Sequence, residues 1–264
     1  MWANLARLVR YRGLIQSLVA RELKARYRGS VLGFFWSFVN PLMLLSIYSF
    51  VFTVVMPGLH PKEIEPYALF MFCGILPWTW FSSALIESSA SLIAGGNLIK
   101  KVLFPAEILP LVTVLANMIH FFLGLPILIG FLIWYQRPPD IMDLIWFPVA
   151  VLIQLVFTAG LALVLSALTV HFRDLRDLLS NVLTLWFFAT PIIYPMGLAV
   201  GLSKRVLDMN PMTHLIVSYQ EILFYTGDIG HWKWLLALGG ASAIFFLAAY
   251  WLFDRLRDSF AEVV

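Results

Sequence analysis

Charge is scarce in this chain. Asp, Glu, Lys and Arg make up 12% of its 264 residues, where a soluble domain carries about a quarter. So few charges cannot keep a globular surface wet, which excludes an ordinary soluble domain. Cysteine is nearly absent: Cys73 stands alone, so no internal disulfide is possible, and it reads as a small packing residue. The first thirty residues lack an unbroken apolar core and a small-residue cleavage site. No secretory signal peptide is expected, and the first span must act as its own insertion signal. The common chemical motifs are missing too. There is no G-x-x-x-x-G-K-[ST] phosphate loop, and Ala94-Gly95-Gly96-Asn97 has no Lys-Ser/Thr at the right offset. The chain therefore does not hydrolyse ATP by that route. His60, His120, His171, His214 and His231 are scattered, with no zinc-type spacing, so no metal or cofactor is expected on the chain. No pair of carboxylates falls within an apolar run, which argues against a glycosidase-like or proton-relay core. No internal repeat or low-complexity tract is visible, and nothing points to a nucleic-acid partner.

What the chain does have is apolar length: 61% of residues are hydrophobic. Crossing the hydrocarbon takes about 20 apolar residues in a helix, and several runs meet that. The pattern predicts an all-α integral membrane fold with six spans. They run at about Leu32–Met56, Tyr67–Ile93, Leu109–Tyr135, Leu144–Val170, Leu178–Ile193 and Trp234–Phe253, followed by a short charged tail, Asp254–Val264. Ahead of them, residues 1–29 hold Arg7, Arg10, Arg12, Arg21, Lys24, Arg26 and Arg28 against a single acid, Glu22. Apolar residues there recur at helical spacing. This predicts an amphipathic helix lying on an anionic leaflet, with Gly13 breaking it in two. Residues 30–264 then form one transmembrane domain.

Orientation follows from the cations. With the N-terminus inside, thirteen of the eighteen Lys and Arg fall on the inner side, while the acids divide evenly. Both termini of this multi-pass protein are expected in the cytoplasm. Between spans five and six, residues 196–230 offer two short amphipathic pieces, about Leu198–Met209 and Met212–Thr226. Neither is long enough to cross. Val206, Leu207, Leu215, Ile216, Tyr219 and Leu223 need cover, which predicts a helical hairpin dipping into the outer face against protein. Glu87 is the one clear acid within a span. It reads either as a carboxylate reaching the interface or bonded to Ser83, Ser88 or Ser91, or as a polar feature of a substrate path. Asn117 and His120 read as interhelical hydrogen-bond partners.

Three segments stand out. The first is Arg26-Tyr27-Arg28-Gly29-Ser30-Val31-Leu32-Gly33-Phe34-Phe35-Trp36, running on to Asn40-Pro41-Leu42. A turn at Gly29, a cap at Ser30 and close helix contact at Gly33 are expected. Lys24, Arg26 and Arg28 either orient the chain and attract lipid head groups or hold a phosphorylated lipid carrier. The second is the inner loop ending at Phe104-Pro105. Asn97 caps a short helix there, formed by Asn97, Leu98, Ile99, Lys100, Lys101, Val102, Leu103 and Phe104. Its apolar face either needs a partner or lies in the head-group layer. The third joins Arg173, Asp174, Arg176 and Asp177, able to form local ion pairs, to Thr190-Pro191-Ile192-Ile193-Tyr194-Pro195 and Asn210-Pro211-Met212.

Taken together these motifs resemble the permease subunit of bacterial ABC exporters for O-antigen, teichoic acid or capsular polysaccharide. The likeness covers nearly the whole chain. One departure is Gln220, where such permeases lead one to expect a basic residue. The resemblance implies a homodimer that binds a separate ATP-binding cassette ATPase, which carries the ATP and Mg. It also implies that 97–104 is the coupling helix seated in that ATPase, and that 196–230 is an outer gate hairpin. The cargo would be an undecaprenyl-diphosphate-linked polysaccharide passing between the subunits. Tyr48, Phe52, Glu87, Trp186, Phe187 and Phe188 would line its path. Trp78, Trp80, Trp232 and Trp234 fit an interfacial aromatic belt. Alternatives are an ABC permease for a drug or small lipid, a secondary transporter, or a membrane-bound transferase.

Overall fold

A computed structural model describes residues 10–55, 64–101, 104–137, 140, 144–225 and 229–263. All regular structure among them is helical. The helices are α1 (Arg12–Arg26), α2 (Trp36–Phe50), α3 (Tyr67–Ser89), α4 (Ser91–Ala94), α5 (Gly96–Lys101), α6 (Ile108–Trp134), α7 (Trp146–His171), α8 (Leu175–Phe188), α9 (Gly201–Met209), α10 (Pro211–Leu223) and α11 (Trp232–Val263). A 3-10 turn, Gly33–Phe35, leads into α2, and a π-helical turn, Val51–Val55, continues it. Four helices are long and apolar enough to cross a membrane: α3, α6, α7 and the Trp232–Arg257 part of α11. The protein is thus an all-α, multi-pass membrane protein. α2 and α8 are shorter, with 15 and 14 residues.

α3 is the hub. It packs against α2, α6, α7, α8 and α10, and every residue from Tyr67 to Trp78 is buried, Cys73 among them. Lipid offers these helices no hydrophobic reward for pairing, so close packing and polar contacts decide the arrangement. The indole N–H of Trp80 donates to the Val114 carbonyl at 3.2 Å, tying α3 to α6. The Gln154 amide of α7 donates to the Pro77 carbonyl at 2.8 Å. At Gly160 a Cβ would stand 2.9 Å from the Phe245 ring, so the missing side chain lets α7 and α11 close together. At Gly74 a Cβ would meet Ile216 Cγ2 at 3.1 Å and Gln220 Nε2 at 3.3 Å, which is how α10 settles onto α3.

The two amphipathic pieces between the fifth and sixth apolar runs form as expected. The first becomes a 3-10 turn, Met196–Leu198, followed by α9, and the second becomes α10. Leu207, Leu215, Ile216, Tyr219 and Leu223 are buried, but Val206 is 53% exposed together with Leu202 and Met209. α10 has found its cover, and α9 keeps an open apolar side.

Several local expectations change. The break expected at Gly13 falls at the Tyr11 turn, and Gly13 is the second residue of α1. Gly33 touches nothing within 4 Å; its φ of +49° makes it a turn residue. The tail is no loose end, because α11 runs through it to Val263. Asn97 lies inside α5, where the Gly95 carbonyl accepts the first amides. Arg173, Asp174, Arg176 and Asp177 are all exposed. Among the described residues they form no ion pair, in keeping with how little such pairs gain in water.

Candidate functional site

Gly29 turns the chain between α1 and α2 with a φ of +80°, a conformation glycine adopts without steric cost. Ser30 Oγ then accepts the Gly33 amide at 3.3 Å, so it caps the 3-10 turn that leads into α2 and not, as expected, the span helix itself, whose N-cap is Phe35. The turn folds α1 back against α6, where Leu18 and Val19 pack on Ile108, Val112 and Ala116. It also brings the end of α1 to an acid 61 residues away. Arg26 Nη2 forms an ion pair with Glu87 Oε2, while Arg26 Nη1 donates to Asn117 Oδ1 at 3.2 Å. Asn117 closes the triangle through its Nδ2, which donates to Glu87 Oε2 at 2.7 Å and to the Thr113 carbonyl at 3.0 Å. Beside it, the Tyr27 hydroxyl shares hydrogen bonds with Ser37 Oγ and with His120 Nδ1, the latter at 3.1 Å. Arg26 and Glu87, read separately from the sequence as a lipid-phosphate contact and a path residue, are therefore partners. Lys24 and Arg28 are exposed and share no hydrogen bond or ion pair with the cluster among the described residues. A cavity of about 490 Å³ opens beside the group, bounded by α2, α3 and α6.

At the same end of the bundle, α4 and α5 make two short steps from α3 to α6. Leu98, Ile99 and Phe104 pack, partly buried, on a cluster formed by Leu92, Ala106, Leu163, Val170, Phe253 and Phe260. The apolar face of α5 therefore already has cover from α7 and α11, and what it turns outward is Asn97 and Lys100. These contacts cover Leu98, Ile99 and Phe104 in part within the chain itself. Val102, Leu103 and the Lys101 side chain lie outside the described residues.

At the opposite end, α8 stops at Phe188 and the chain turns through Ala189–Tyr194. Asn210 caps α10: its Oδ1 accepts the Met212 amide at 3.0 Å and the Trp186 indole N–H at 2.8 Å. Its Nδ2 donates to the Ala189 carbonyl at 2.9 Å and to Thr190 Oγ1 at 3.0 Å. Gln220 Nε2 donates to the Pro191 carbonyl at 3.0 Å, and the Tyr67 hydroxyl to the Ile193 carbonyl. The aromatic residues of interest fall around this turn. Trp186 stands edge-on to Phe81, and Phe187 to Trp78. Tyr48 packs half-buried on the same core, Phe52 meets the Tyr67 ring at 4.9 Å, and Phe188 is 59% exposed.

The model of the ABC-2 type transporter family matches residues 13–224. The chain is 44% identical over 259 residues to the O-antigen export system permease protein RfbA of Myxococcus xanthus, covering 97% of each protein. It is 33% identical over 251 residues to the RfbA of Klebsiella pneumoniae, covering 95% of each. The polysialic acid transport protein KpsM of Escherichia coli is more distant, at 22% over 222 residues, with 78% of this chain and 80% of that one covered. The chain belongs to the ABC-2 type transporter family.

As an ABC-2 type transporter, the chain is a transport subunit and not an enzyme. Among its described residues no group of three or more His, Cys, Asp or Glu could hold a metal ion. Sequence reading missed the pairing of Arg26 with Glu87 and the role of Tyr27. A signal for both was present: a cation and a phenol side by side before a glycine turn, and one lone acid near the end of a span. Nothing in the sequence marked Ser37. Asn117 and His120 do bond between helices as expected, to Arg26 and Glu87 and to Tyr27 respectively. Trp78 and Trp80 are buried in the core and do not form a belt, whereas Trp232 and Trp234 are exposed.

Proposed function

We propose that this chain is the membrane subunit of an ATP-driven exporter that moves a lipid-linked polysaccharide of the O-antigen type across the bacterial inner membrane. The likeness to an O-antigen export permease over 97% of both chains carries this reading. The lack of a phosphate loop supports it, because the energy must then enter through a second polypeptide. Four long helices account for four spans. The Gly33–Val55 stretch, at 1.5 Å per residue, reaches about 34 Å, enough for the roughly 30 Å hydrocarbon core, and supplies a fifth. α8 with its covered turn is the sixth. The cation count sets both termini in the cytoplasm.

The ATPase docks at the end that carries α5, on the outward-facing Asn97 and Lys100 and the residues that follow. The chain works as a homodimer whose halves meet across α2 and α8. Met43, Ile47 and Phe50 on one, and Leu178, Val182 and Leu185 on the other, are exposed, so both helices have open apolar sides. The polysaccharide passes along that seam, past Tyr48, Phe52, Trp186, Phe187 and Phe188, while α9 and α10 form the outer gate. Lys24 and Arg28, free of the Arg26–Glu87 pair, attract the anionic head of the lipid carrier at the inner leaflet. The deciding experiment is purification with an ATP-binding cassette ATPase from the same organism. ATP hydrolysis should rise when a lipid-linked glycan is added. Export by the chain reconstituted with no second polypeptide would overturn the reading.

A further inference from the structure

The cavity beside the Arg26–Glu87 pair has an unusual lining for a site within a membrane bundle. At about 490 Å³ it falls in the range of small-molecule sites. Thr79, Ser83 and Glu87 follow one another at four-residue spacing on one face of α3, a polar stripe about 12 Å long. Thr79 stands about 15 Å from the end of α3, near the middle of the helix, yet it is exposed. Asn40 reaches the same space from α2 and His120 from α6. Among the described residues, neither Asn40 nor Ser83 has a hydrogen-bond partner. Asn40 is exposed and Ser83 half-buried, so a free amide and a free hydroxyl are open to water or a ligand there.

The charge decides what the ligand is. Arg26 and Glu87 neutralise each other at the mouth, and Lys24 and Arg28 do not line the cavity. A phosphate would need an unbalanced cation, and the cavity has none. Beside the paired Arg26, its lining offers hydroxyls, the amides of Asn40 and Asn117, an imidazole and the flat ring of Trp36, set among apolar side chains. Those groups both donate to and accept from hydroxyls, and the ring offers an apolar face.

We propose that this cavity binds an uncharged sugar ring of a lipid-anchored glycan, reaching it from the membrane; the proposal rests on the exporter reading. Asn40, Ser83 and Thr79 bond the ring hydroxyls, and Trp36 packs against its C–H face. The neutralised Arg26–Glu87 pair keeps the phosphate of the carrier outside.

The test is calorimetric titration of the protein in nanodiscs with three probes: a short-chain polyprenyl-diphosphate-linked monosaccharide, the same polyprenyl phosphate without sugar, and the free monosaccharide. The glycosylated lipid should bind tightest. T79V/S83A, which removes two hydroxyls at nearly constant volume, and N40L should each weaken it about tenfold or more, while leaving the sugar-free lipid unchanged. Unfolding midpoints of the variants identify any loss of fold, in which case N40S and S83A alone carry the comparison. Equal binding of sugar-free lipid, its displacement by inorganic phosphate, or unchanged affinity in all variants would overturn the proposal. Binding of the free sugar alone as tightly as the glycolipid would refute the membrane route. Glycan-stimulated ATP hydrolysis by the wild-type complex is measured in parallel. If it is present while the variants bind normally, the cavity proposal fails and the exporter reading stands. If it is absent, the exporter reading fails, whatever the titration shows.

Discussion

Asn210 uses the whole capacity of its side-chain amide, two acceptor and two donor positions, to hold α8, the turn after it and α10 in one piece. Asn210→Ala removes all four contacts at once. Loss of the α10 cap costs about 1 kcal/mol. The Trp186 indole N–H and the Ala189 carbonyl lose their partners here, each worth about 0.5–1.5 kcal/mol. Thr190 loses less, because its own hydroxyl still donates to the Trp186 carbonyl at 2.8 Å. Together the variant should lose about 2–4 kcal/mol. Asn210→Asp keeps both acceptor contacts but sets a carboxylate against the Ala189 carbonyl, so it should be no better than Ala. Asn210→Ser restores the cap alone and should fall between. Trp186→Phe removes one bond, and combining it with Asn210→Ala should give a coupling of about 0.5–1.5 kcal/mol. Reversible unfolding in mixed detergent micelles measures the five variants and wild type. If Asn210→Ala stays within about 0.5 kcal/mol of wild type, the network does not hold this end of the bundle.

Three further predictions concern other contacts. At α5, Leu98→Asp should destabilise the chain itself, by burying a charge in the cluster around Phe253, whereas Asn97→Asp with Lys100→Glu should reduce ATPase co-purification at unchanged stability; the reverse pattern would return the apolar face to an external partner. Arg26→Glu and Glu87→Arg should each loosen α1, read as faster amide exchange over residues 12–26, and the charge-swapped double variant should recover at least half of the loss; additive effects would mean that the pair contributes nothing. Gly160→Ala forces a Cβ against the Phe245 ring and toward the Phe246 backbone at 3.3 Å and should cost about 1–3 kcal/mol, while Gly130→Ala, with nothing within 4 Å, should be neutral or slightly stabilising.

How much of this could be read from the chain alone depends on the range of the contact. Runs such as Ile108–Trp134 declare themselves by length and composition, and the short α9 and α10 by Gly and Asn-Pro punctuation. The Ser30 cap and the Gly29 turn are local, so the local sequence contains them. Arg26 with Glu87, Trp80 with Val114 and Gln154 with Pro77 join residues tens of positions apart, and no periodicity announces which polar residue meets which. The same limit holds at α5: the sequence does not reveal that α11 continues past Phe253 and brings Phe260 into the cluster on which Leu98, Ile99 and Phe104 are partly buried.

The Gln220 position, where family resemblance leads one to expect a cation, shows what a neutral residue gains there. Pro191 and Pro195 prevent α8 from continuing, so the carbonyls from Ala189 to Ile193 lose their helical donors at a depth where water is scarce. The chain satisfies them singly, from three directions: Asn210 at Ala189, Gln220 at Pro191 and Tyr67 at Ile193. Gln220 is 2% exposed, and a Lys or Arg in that setting would bring a charge with no acid beside it to repay its desolvation. An amide gives the same hydrogen bond without that penalty. The consequence is mechanical. α8 cannot slide or lengthen by itself, because its last turn is bonded to Asn210 through Trp186 and the segment after it to α3 through Tyr67. Any opening along α8 must either carry α10 with it as one body or break the full set of bonds at the Ala189–Ile193 turn, and the second course leaves several buried carbonyls unpaired.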